Sequence, residues 1–453
     1  MAYSAVTSLE RLFSELNRVP GTIVSAAVES IQVFHFSGRL NSLAVAVGET
    51  HPWTDRWRAM GIPVFMPSRR TGDPTPVNTS QFLRNPETLA FLNTLKAPVR
   101  IMMFKPDAAS HEFLTSHGFE VIGCDPGRAR RLENKMHFPK IAARAELPLP
   151  PHHIVRIPAR PDRSSTIMPP DTLPLICQFA KGFSGNRTFL IRSSRDWTAV
   201  CRHFPGRKVR ISPYLAGDTW TANGCVMPDQ TVIVSEPFLQ ETHVYLPDAV
   251  DQLPHRVGSR GNAWGQNPPE IIQPVTDAMH RLGRALHELH YRGFFGADLL
   301  APLPGQNIGH GDMTLLGIEI NPRITASASI LTPLEMQIGT LPIMACHLAA
   351  SLDLPGVITP GHPAEASLPP GGQWIIRNTP PDSEWIGAVQ PGTYSMNTAV
   401  PVEKDSLPEH LENGECLVWK PAPQTASAEH GRLIYRGRSS QFYHFLELLR
   451  KRR

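Results

Sequence analysis

Three polar side chains alternate with apolar ones near the C-terminal third of the chain: Glu319, Asn321 and Arg323. Because successive side chains of a β-strand point to opposite faces, these three share one face, while Ile318 and Ile320 lie on the other. Carboxylate and amide oxygens suit a hard cation such as Mg²⁺, and an arginine beside them suits phosphate oxygens. The pattern predicts a metal and phosphate site, although a strand with a solvated polar face fits the same residues.

A second carboxylate is expected beside the first. Residues 271–291 carry apolar side chains at three- and four-residue spacings, which is typical of an amphipathic helix. Residues 294–300 then fit a strand with Asp298 toward its end, and 302–312 fit a hairpin loop. Asp298 would face the same ion as Glu319 if the two strands are adjacent, a turn or cap role being the alternative.

This helix, strand, loop and strand, with Gly-Ala-Asp-Leu-Leu and Gly-Ile-Glu-Ile-Asn-Pro-Arg, resembles the ATP-grasp superfamily. The resemblance implies that Asp298, Glu319 and Asn321 bind Mg²⁺ or Mn²⁺ and that Arg323 acts in catalysis on phosphate oxygens. Lys135 is similar to the lysine at the family's entry into the ATP-binding domain, and it would contact nucleotide phosphate. The alternative is an exposed lysine on a helix over residues 132–145.

Residues 173–191 are predicted to form a strand, a glycine loop and a strand, which resembles the family's phosphate-covering loop. Ser184 and Gly185 stand in that loop, where backbone N–H groups can approach anionic oxygens closely. A plain hairpin turn is the alternative. Many family members have a lysine on the preceding strand where this chain has Gln178, so Lys181 is the candidate to supply the missing charge.

The segment 209–219 resembles the interdomain hinge that reads adenine. By position, the Pro213 carbonyl and the Leu215 N–H would pair with the adenine ring, and Asp218 or Thr219 would contact the ribose. Residues 256–266 are expected to form a polar loop near the triphosphate or the acceptor substrate. Arg260 and Asn262 in that segment are therefore candidates for catalysis.

Composition limits the class of protein. The chain has 453 residues and a net charge of +4, which gives no strong electrostatic case for nucleic acid. Residues 4–19 predict an amphipathic helix rather than a signal peptide, and no run is long enough to cross a membrane. The six cysteines show no metal-like spacing and a chain this large needs no disulfides, so a cytoplasmic location is expected.

Three regions are expected. Residues 1–130 have apolar strand patterns at 43–47, 99–104 and 120–123 separated by helical stretches, and they predict an α/β domain with a parallel sheet, similar to the domain that precedes ATP-grasp. Residues 131–350 would be the ATP-grasp α+β domain, with two lobes and the hinge at 209–219. Residues 351–453 have short strand patterns separated by glycine turns and predict a β-rich domain.

The resemblance implies an ADP-forming carboxylate–amine ligase that uses ATP and Mg²⁺. A substrate carboxylate would take the γ-phosphate to give an acyl phosphate, and an amine would displace phosphate to give an amide. Amino acids or peptides are the expected small-molecule substrates, with neither nucleic acid nor membrane as a partner. A thiol acceptor, a carboxylate kinase, a nucleotide-binding protein without catalysis, and a homodimer remain open.

Overall fold

The computed structural model describes most of the chain, namely residues 9–68, 78–158, 173–182, 187–245, 253–306, 315–354, 367–377, 386–404, 407–421 and 429–451.

The N-terminal region is a parallel five-stranded sheet of order β3-β2-β1-β4-β5 with helices around it, which confirms the predicted α/β domain. The strands at 43–47, 99–103 and 120–122 match the predicted ones, and the central strand β1 was missed. Its elements are α1 (Leu9–Arg18), β1 (Thr22–Ala27), two 3-10 helices (Ser30–Gln32 and Phe36–Gly38), β2 (Leu43–Val47), α2 (Trp53–Ala59), β3 (Val64–Phe65), α3 (Thr79–Leu83), α4 (Pro86–Thr94), β4 (Val99–Met103), α5 (Ala108–Ser116) and β5 (Glu120–Ile122).

The central region combines an antiparallel sheet with helices packed on it. The predicted helix over 271–291 and the predicted strands around Asp298 and Glu319 are all present. Its elements are α6 (Pro126–Leu132), α7 (Phe138–Arg144), β6 (His153–Arg156), β7 (Leu175–Phe179), β8 (Thr188–Ile191), α8 (Ser194–His203), β9 (Lys208–Pro213), β10 (Gly217–Val226), β11 (Val232–Val234), β12 (Phe238–Tyr245), β13 (Arg256–Trp264), α9 (Pro269–Glu288), β14 (Gly293–Pro302), β15 (Leu316–Asn321), α10 (Ala328–Gln337) and α11 (Ile343–Ser351).

The C-terminal region is rich in strands and ends in a helix, as the glycine-separated strand patterns predict. Its elements are β16 (Gly371–Arg377), β17 (Gly392–Ser395), β18 (Pro401–Val402), a 3-10 helix (Pro408–His410), β19 (Glu415–Trp419), β20 (Glu429–Arg436) and α12 (Ser439–Lys451).

One antiparallel sheet runs from the central region into the C-terminal one, in the order β15-β14-β10-β12-β13-β16-β20-β19-β17-β18. Strand β13 is its junction, because it pairs with β12 and β16 and also meets β8 of the smaller β6–β9 lobe. The largest hydrophobic cluster joins α1, one face of the N-terminal sheet, α10, α11 and Trp419. These contacts fix the N-terminal sheet against the strands that carry Asp298 and Glu319.

Three local expectations are wrong. Residues 132–145 do not form one helix, because α6 ends at Leu132 and α7 starts at Phe138. The segment 256–266 is mostly the strand β13 rather than a loop. Its glycines Gly261 and Gly265 are not turn residues of a loop, because each lies where another backbone packs closely. The many prolines between Pro148 and Pro174 predict an irregular connection, but the described part of that segment contains the short strand β6 paired with β9.

None of the helices in the described part of the chain is long and apolar enough to cross a bilayer. The cysteines are free, and Cys177 and Cys346 are buried, as expected for core residues. Burial raises the pKa of both thiols, which makes them poor nucleophiles.

Candidate active site

A cavity of about 760 Å³ lies where the three regions meet. One wall is the carboxyl edge of the N-terminal sheet, with Glu29 after β1 and Lys105 after β4. The opposite walls are the central strands and the start of the C-terminal sheet, where Arg432 is buried. Ligands of open parallel sheets bind at this carboxyl edge, so the cavity is the natural place to look for a site.

The two predicted metal ligands on adjacent strands face each other in this cavity. Asp298 of β14 pairs in register with Glu319 of β15, and a bulge follows directly after Asp298. The Thr221 hydroxyl on β10 donates to Asp298 Oδ1 at 2.8 Å, and Gln240 donates to the Thr221 oxygen at 3.3 Å. The antiparallel pairing of β10, β14 and β15 thus brings both carboxylates to one point.

The two carboxylates are not electrostatically equal. Burial, and then the negative charge of Glu319, raise the pKa of Asp298 from 3.8 to about 7. Burial also acts against the charge of Glu319, but Lys135, Arg323 and Arg210 outweigh it and lower the pKa of that carboxyl. A divalent cation between the two would remove the repulsion that raises the pKa of Asp298.

Lys135 lies in the turn between α6 and α7, and it is buried rather than exposed on a helix. Its backbone N–H donates to the Ala180 carbonyl at 3.1 Å, which fixes the turn against the end of β7. Its ammonium forms an ion pair with Glu319, and both side chains are largely buried, with 8% and 17% of their surface exposed. The lysine is therefore held against the carboxylate pair.

Asn321 and Arg323 continue the same face. The Asn321 amide donates to Glu319 Oε1 at 3.4 Å, and Arg323 Nη2 donates to Asn321 Oδ1 at 3.0 Å. Arg323 Nε also donates to Glu133 at 2.9 Å, and Lys105 donates to the same carboxylate at 2.8 Å. Glu133, which no sequence motif singled out, thus orients two cations at the cavity wall.

The hinge residues lie between β9 and β10, as their position in the sequence suggests. Pro213 and Leu215 both line the cavity. The flanking N–H groups of Tyr214 and Ala216 donate to Pro174 and to Gln306, at 2.9 Å each. Thr219 is buried at the cavity wall. Asp218, the preceding residue, lies on the opposite face of β10 and is exposed.

The strand before the glycine loop turns Gln178 toward the cavity. Cys177 and Phe179 are buried in the core behind it, so the alternation along β7 leaves Ile176 and Gln178 on the cavity side. Lys181, the expected replacement cation, is exposed and is not among the described residues that line the cavity. Ser184 and Gly185 fall outside the described residues.

A residue that sequence reasoning missed, Arg210, occupies the place beside Gln178. Arg210 on β9 and Gln178 on β7 are register partners. Arg210 lines the cavity, and only 4% of its surface is exposed. One pattern in the sequence could have identified Arg210, namely a single arginine between the apolar residues Val209 and Ile211. A polar residue between two core residues of a strand points to the opposite face.

The two candidates on β13 are separated by a register shift in its pairing with β12, which leaves Arg260 as the extra residue between Ser259 and Gly261. Asn262 is buried, lines the cavity and accepts a hydrogen bond from Gln373 at 3.2 Å. Arg260 is not part of the described cavity wall, because its guanidinium lies 3.8 Å from the ring centroid of Trp374. Arg260 therefore packs beside the site rather than in it.

The residues fit a magnesium ion, provided that a ligand completes it. In the described ranges, no group of three or more His, Cys, Asp and Glu side chains could hold a metal ion. Asp298, Glu319 and Asn321 supply two carboxylates and one amide oxygen, and Mg²⁺ commonly takes its remaining oxygens from water and substrate phosphates. The donor set is that of a metal bound together with a nucleotide.

Neither the protein-family models nor the curated proteins searched gave a match to this chain. Solved structures do match. Carboxyaminoimidazole ribonucleotide synthase from Aspergillus clavatus, complexed with ATP, has a TM-score of 0.58 and 12% identity, over 96% of this chain and 99% of that one. N5-carboxyaminoimidazole synthetase from Staphylococcus aureus has a TM-score of 0.56 and 12% identity, over 99% and 100%.

Phosphoribosylamine–glycine ligase from Thermotoga maritima has a TM-score of 0.57 and 12% identity, over 95% of this chain and 96% of that one. Because each pairing spans nearly the whole of both chains, the similarity includes the N-terminal and C-terminal regions. Identities this low show the fold alone. On that evidence the chain has the ATP-grasp fold over its full described length.

Proposed function

We propose that the protein is an ADP-forming carboxylate–amine ligase that uses ATP and Mg²⁺. One observation carries the proposal: Lys135, Asp298, Glu319, Asn321 and Arg323, from three separate parts of the chain, line one cavity together with the hinge. A packed core does not require buried charges of both signs around a cavity, whereas phosphoryl transfer requires them for positioning and charge neutralisation.

Each residue has a role that its contacts support. Lys135 and Arg323 hold phosphate oxygens, since both are cations fixed at the cavity wall by carboxylates. Asp298, Glu319 and Asn321 would hold Mg²⁺, which would neutralise phosphate charge as a Lewis acid. Thr221 orients Asp298 by its hydrogen bond. We leave Arg260 out of the reaction because it packs on Trp374.

Adenine is proposed to lie at the hinge, between the Pro213 carbonyl and the Leu215 N–H. The N–H groups of Tyr214 and Ala216 are already bonded away from the cavity, which leaves the intervening backbone to face it. Thr219 rather than Asp218 is then placed to contact the ribose, because only Thr219 lines the cavity.

The carboxylate substrate is proposed to enter from the N-terminal sheet, where the cavity has polar walls. Its oxygen attacks the γ-phosphorus of ATP, the bond to ADP breaks, and an acyl phosphate forms. An amine then attacks the acyl carbon, and phosphate leaves as the amide forms. An amino acid or peptide is the substrate class that we favour; the neighbour named for phosphoribosylamine and glycine supports it, and the two carboxyaminoimidazole enzymes do not.

The test is a phosphate-release screen with ATP and Mg²⁺ against pairs of carboxylates and amines, with mass spectrometry of the products. We expect ADP, phosphate and an amide in equal amounts. With the correct carboxylate and hydroxylamine in place of the amine, we expect a hydroxamate, because hydroxylamine traps acyl phosphates. A stable phosphorylated product would identify a kinase, a thioester a thiol ligase, and AMP with pyrophosphate would overturn the acyl phosphate route.

A further inference from the structure

The fold leaves one question about the phosphate site. Many proteins that the sequence resembles have a lysine on the strand before the glycine loop, and this chain has the neutral Gln178 there. Lys181 is exposed and is not among the described residues that line the cavity, although it is near enough to Lys105 for their charges to interact. A cation of the cavity wall is therefore the better candidate to supply the charge if the cavity binds triphosphate as proposed.

Arg210 is next to Gln178 across the strand pair. Its Nε and Nη2 donate to Gln178 Oε1 at 3.1 and 2.6 Å, and Nη2 also donates to the Ile318 carbonyl at 2.6 Å. The guanidinium is thereby fixed between β7 and β15. Its remaining nitrogen, Nη1, is buried and has no hydrogen-bond partner among the described residues.

The partners of Arg210 differ from those of three other cavity cations. Lys135 is paired with Glu319, Arg323 with Glu133, and Arg432 with Glu429. The hydrogen bonds that the structure shows for Arg210 go to an amide oxygen and a backbone carbonyl, which orient the guanidinium without neutralising it. A buried arginine held in this way keeps its charge for an anion.

We propose that Arg210 binds the phosphate oxygens of the nucleotide through Nη1, and that Gln178 is the residue that positions it. The inference rests on the proposed function. The charge that other chains place on the strand before the glycine loop is thus supplied from the neighbouring strand. Burial lowers the pKa of Arg210 to about 10, with Glu319 acting in the opposite direction, so the guanidinium stays charged at neutral pH.

The test measures binding instead of turnover. Calorimetry gives the Kd of the full-length protein for ATP and for adenosine, with Mg²⁺ present, in the wild type and in Arg210→Met. We expect Arg210→Met to weaken ATP binding by about 10- to 100-fold, the scale of hydrogen bonds to a charged group, and to leave adenosine within about two-fold. Lys208→Met is the matched control, because Lys208 is an exposed cation on the same strand and should leave both Kd values unchanged.

A double variant separates binding from support of the fold. Gln178→Lys combined with Arg210→Met moves the cation to β7, and it should recover most of the lost ATP affinity. If Arg210→Met shows no cooperative unfolding transition and is therefore not folded, the Kd values are measured with Arg210→Gln instead, because that glutamine can still donate a hydrogen bond to Gln178.

Three results decide the matter. Equal ATP affinity in the wild type and the neutral variant would overturn the role of Arg210 and leave the ligase proposal intact. Absence of ATP binding by the wild type would overturn the proposed function instead. Loss of the fold in all Arg210 variants, the double variant included, would show that Arg210 is structural support, and the inference would be withdrawn.

Discussion

Asp298→Asn is expected to stabilise the metal-free protein at neutral and alkaline pH while it abolishes activity. The substitution keeps the shape of the side chain and the acceptor for the Thr221 hydroxyl, and it removes only the charge. In the wild type that charge is unfavourable, because Asp298 is buried beside Glu319 and its pKa is raised to about 7. Under the proposed function the same charge is needed to bind Mg²⁺.

The magnitude follows from the pKa. The carboxyl releases its proton near pH 3.8 in the unfolded chain and near 7 in the folded one, so between these values the folded protein binds more protons. The free energy of unfolding therefore falls as pH rises through this range, and it stays low above about pH 7. At 1.36 kcal/mol for each pH unit the cost is at most roughly 4 kcal/mol, and we expect about 2–4 kcal/mol because Glu319 shares the titration.

The assay is urea unfolding of the wild type and of Asp298→Asn at a series of pH values from 5 to 8.5, with EDTA present. The stability advantage of the variant should grow from pH 5 to about pH 7 and then level off. In a second series without EDTA, MgATP should raise the free energy of unfolding of the wild type much more than that of the variant. Asp277→Asn, an exposed aspartate on α9, is the control and should follow the wild-type curve.

Two outcomes would refute the reasoning. A variant that is less stable than the wild type at pH 8 without metal would mean that the Asp298 charge is compensated in the protein. A difference that does not depend on pH would mean that the substitution acts through packing rather than through charge.

Three other substitutions test neighbouring positions. Glu319→Gln should lower turnover at least ~100-fold, and it should also lower the free energy of unfolding by about 3–5 kcal/mol, because Lys135 then keeps a buried charge without its partner; kinetics and urea unfolding check both. Gln178→Lys alone should lower the Tm, because it sets an ammonium against Arg210, and a Tm equal to wild type would contradict that contact. Lys181→Ala should leave the Kd for ATP within about two-fold, and a larger change in calorimetry would bring Lys181 back as a phosphate ligand.

The carboxylate pair could be predicted from the sequence because its placement depends on local rules of strand geometry. Asp298 and Glu319 lie on consecutive strands of the chain, so alternation and hairpin pairing suffice to place them side by side. The parallel N-terminal sheet was predictable for a similar reason, since buried parallel strands appear as short apolar runs between helices. The β-rich character of the C-terminal region followed from its glycine turns.

Other features depended on contacts between distant parts of the chain. Lys135 was predicted to contact nucleotide phosphate, with an exposed helical lysine as the alternative, because the sequence does not show the approach of β15 to the α6–α7 turn that buries it against Glu319. The polar segment with Arg260 looked like a loop because three glycines and four charged or amide side chains conceal a strand. Two of those glycines lie where another backbone passes, Gly261 at Gln373 and Gly265 at Leu368.

The two carboxylates also show why pattern alone could not divide their roles. Glu319 is surrounded by cations that arrive from β9, from the α6–α7 turn and from beyond the end of β15, so it is ionised and supports the fold before any ligand binds. Asp298 faces a hydroxyl and a second carboxylate, so its charge opposes folding until a cation arrives. Removing the charge of either residue should abolish metal-dependent turnover, but the two changes should move stability in opposite directions. If both carboxylates only stabilised the fold, or if both were only solvated polar groups at the cavity surface, the two substitutions would not change the free energy of unfolding in opposite directions.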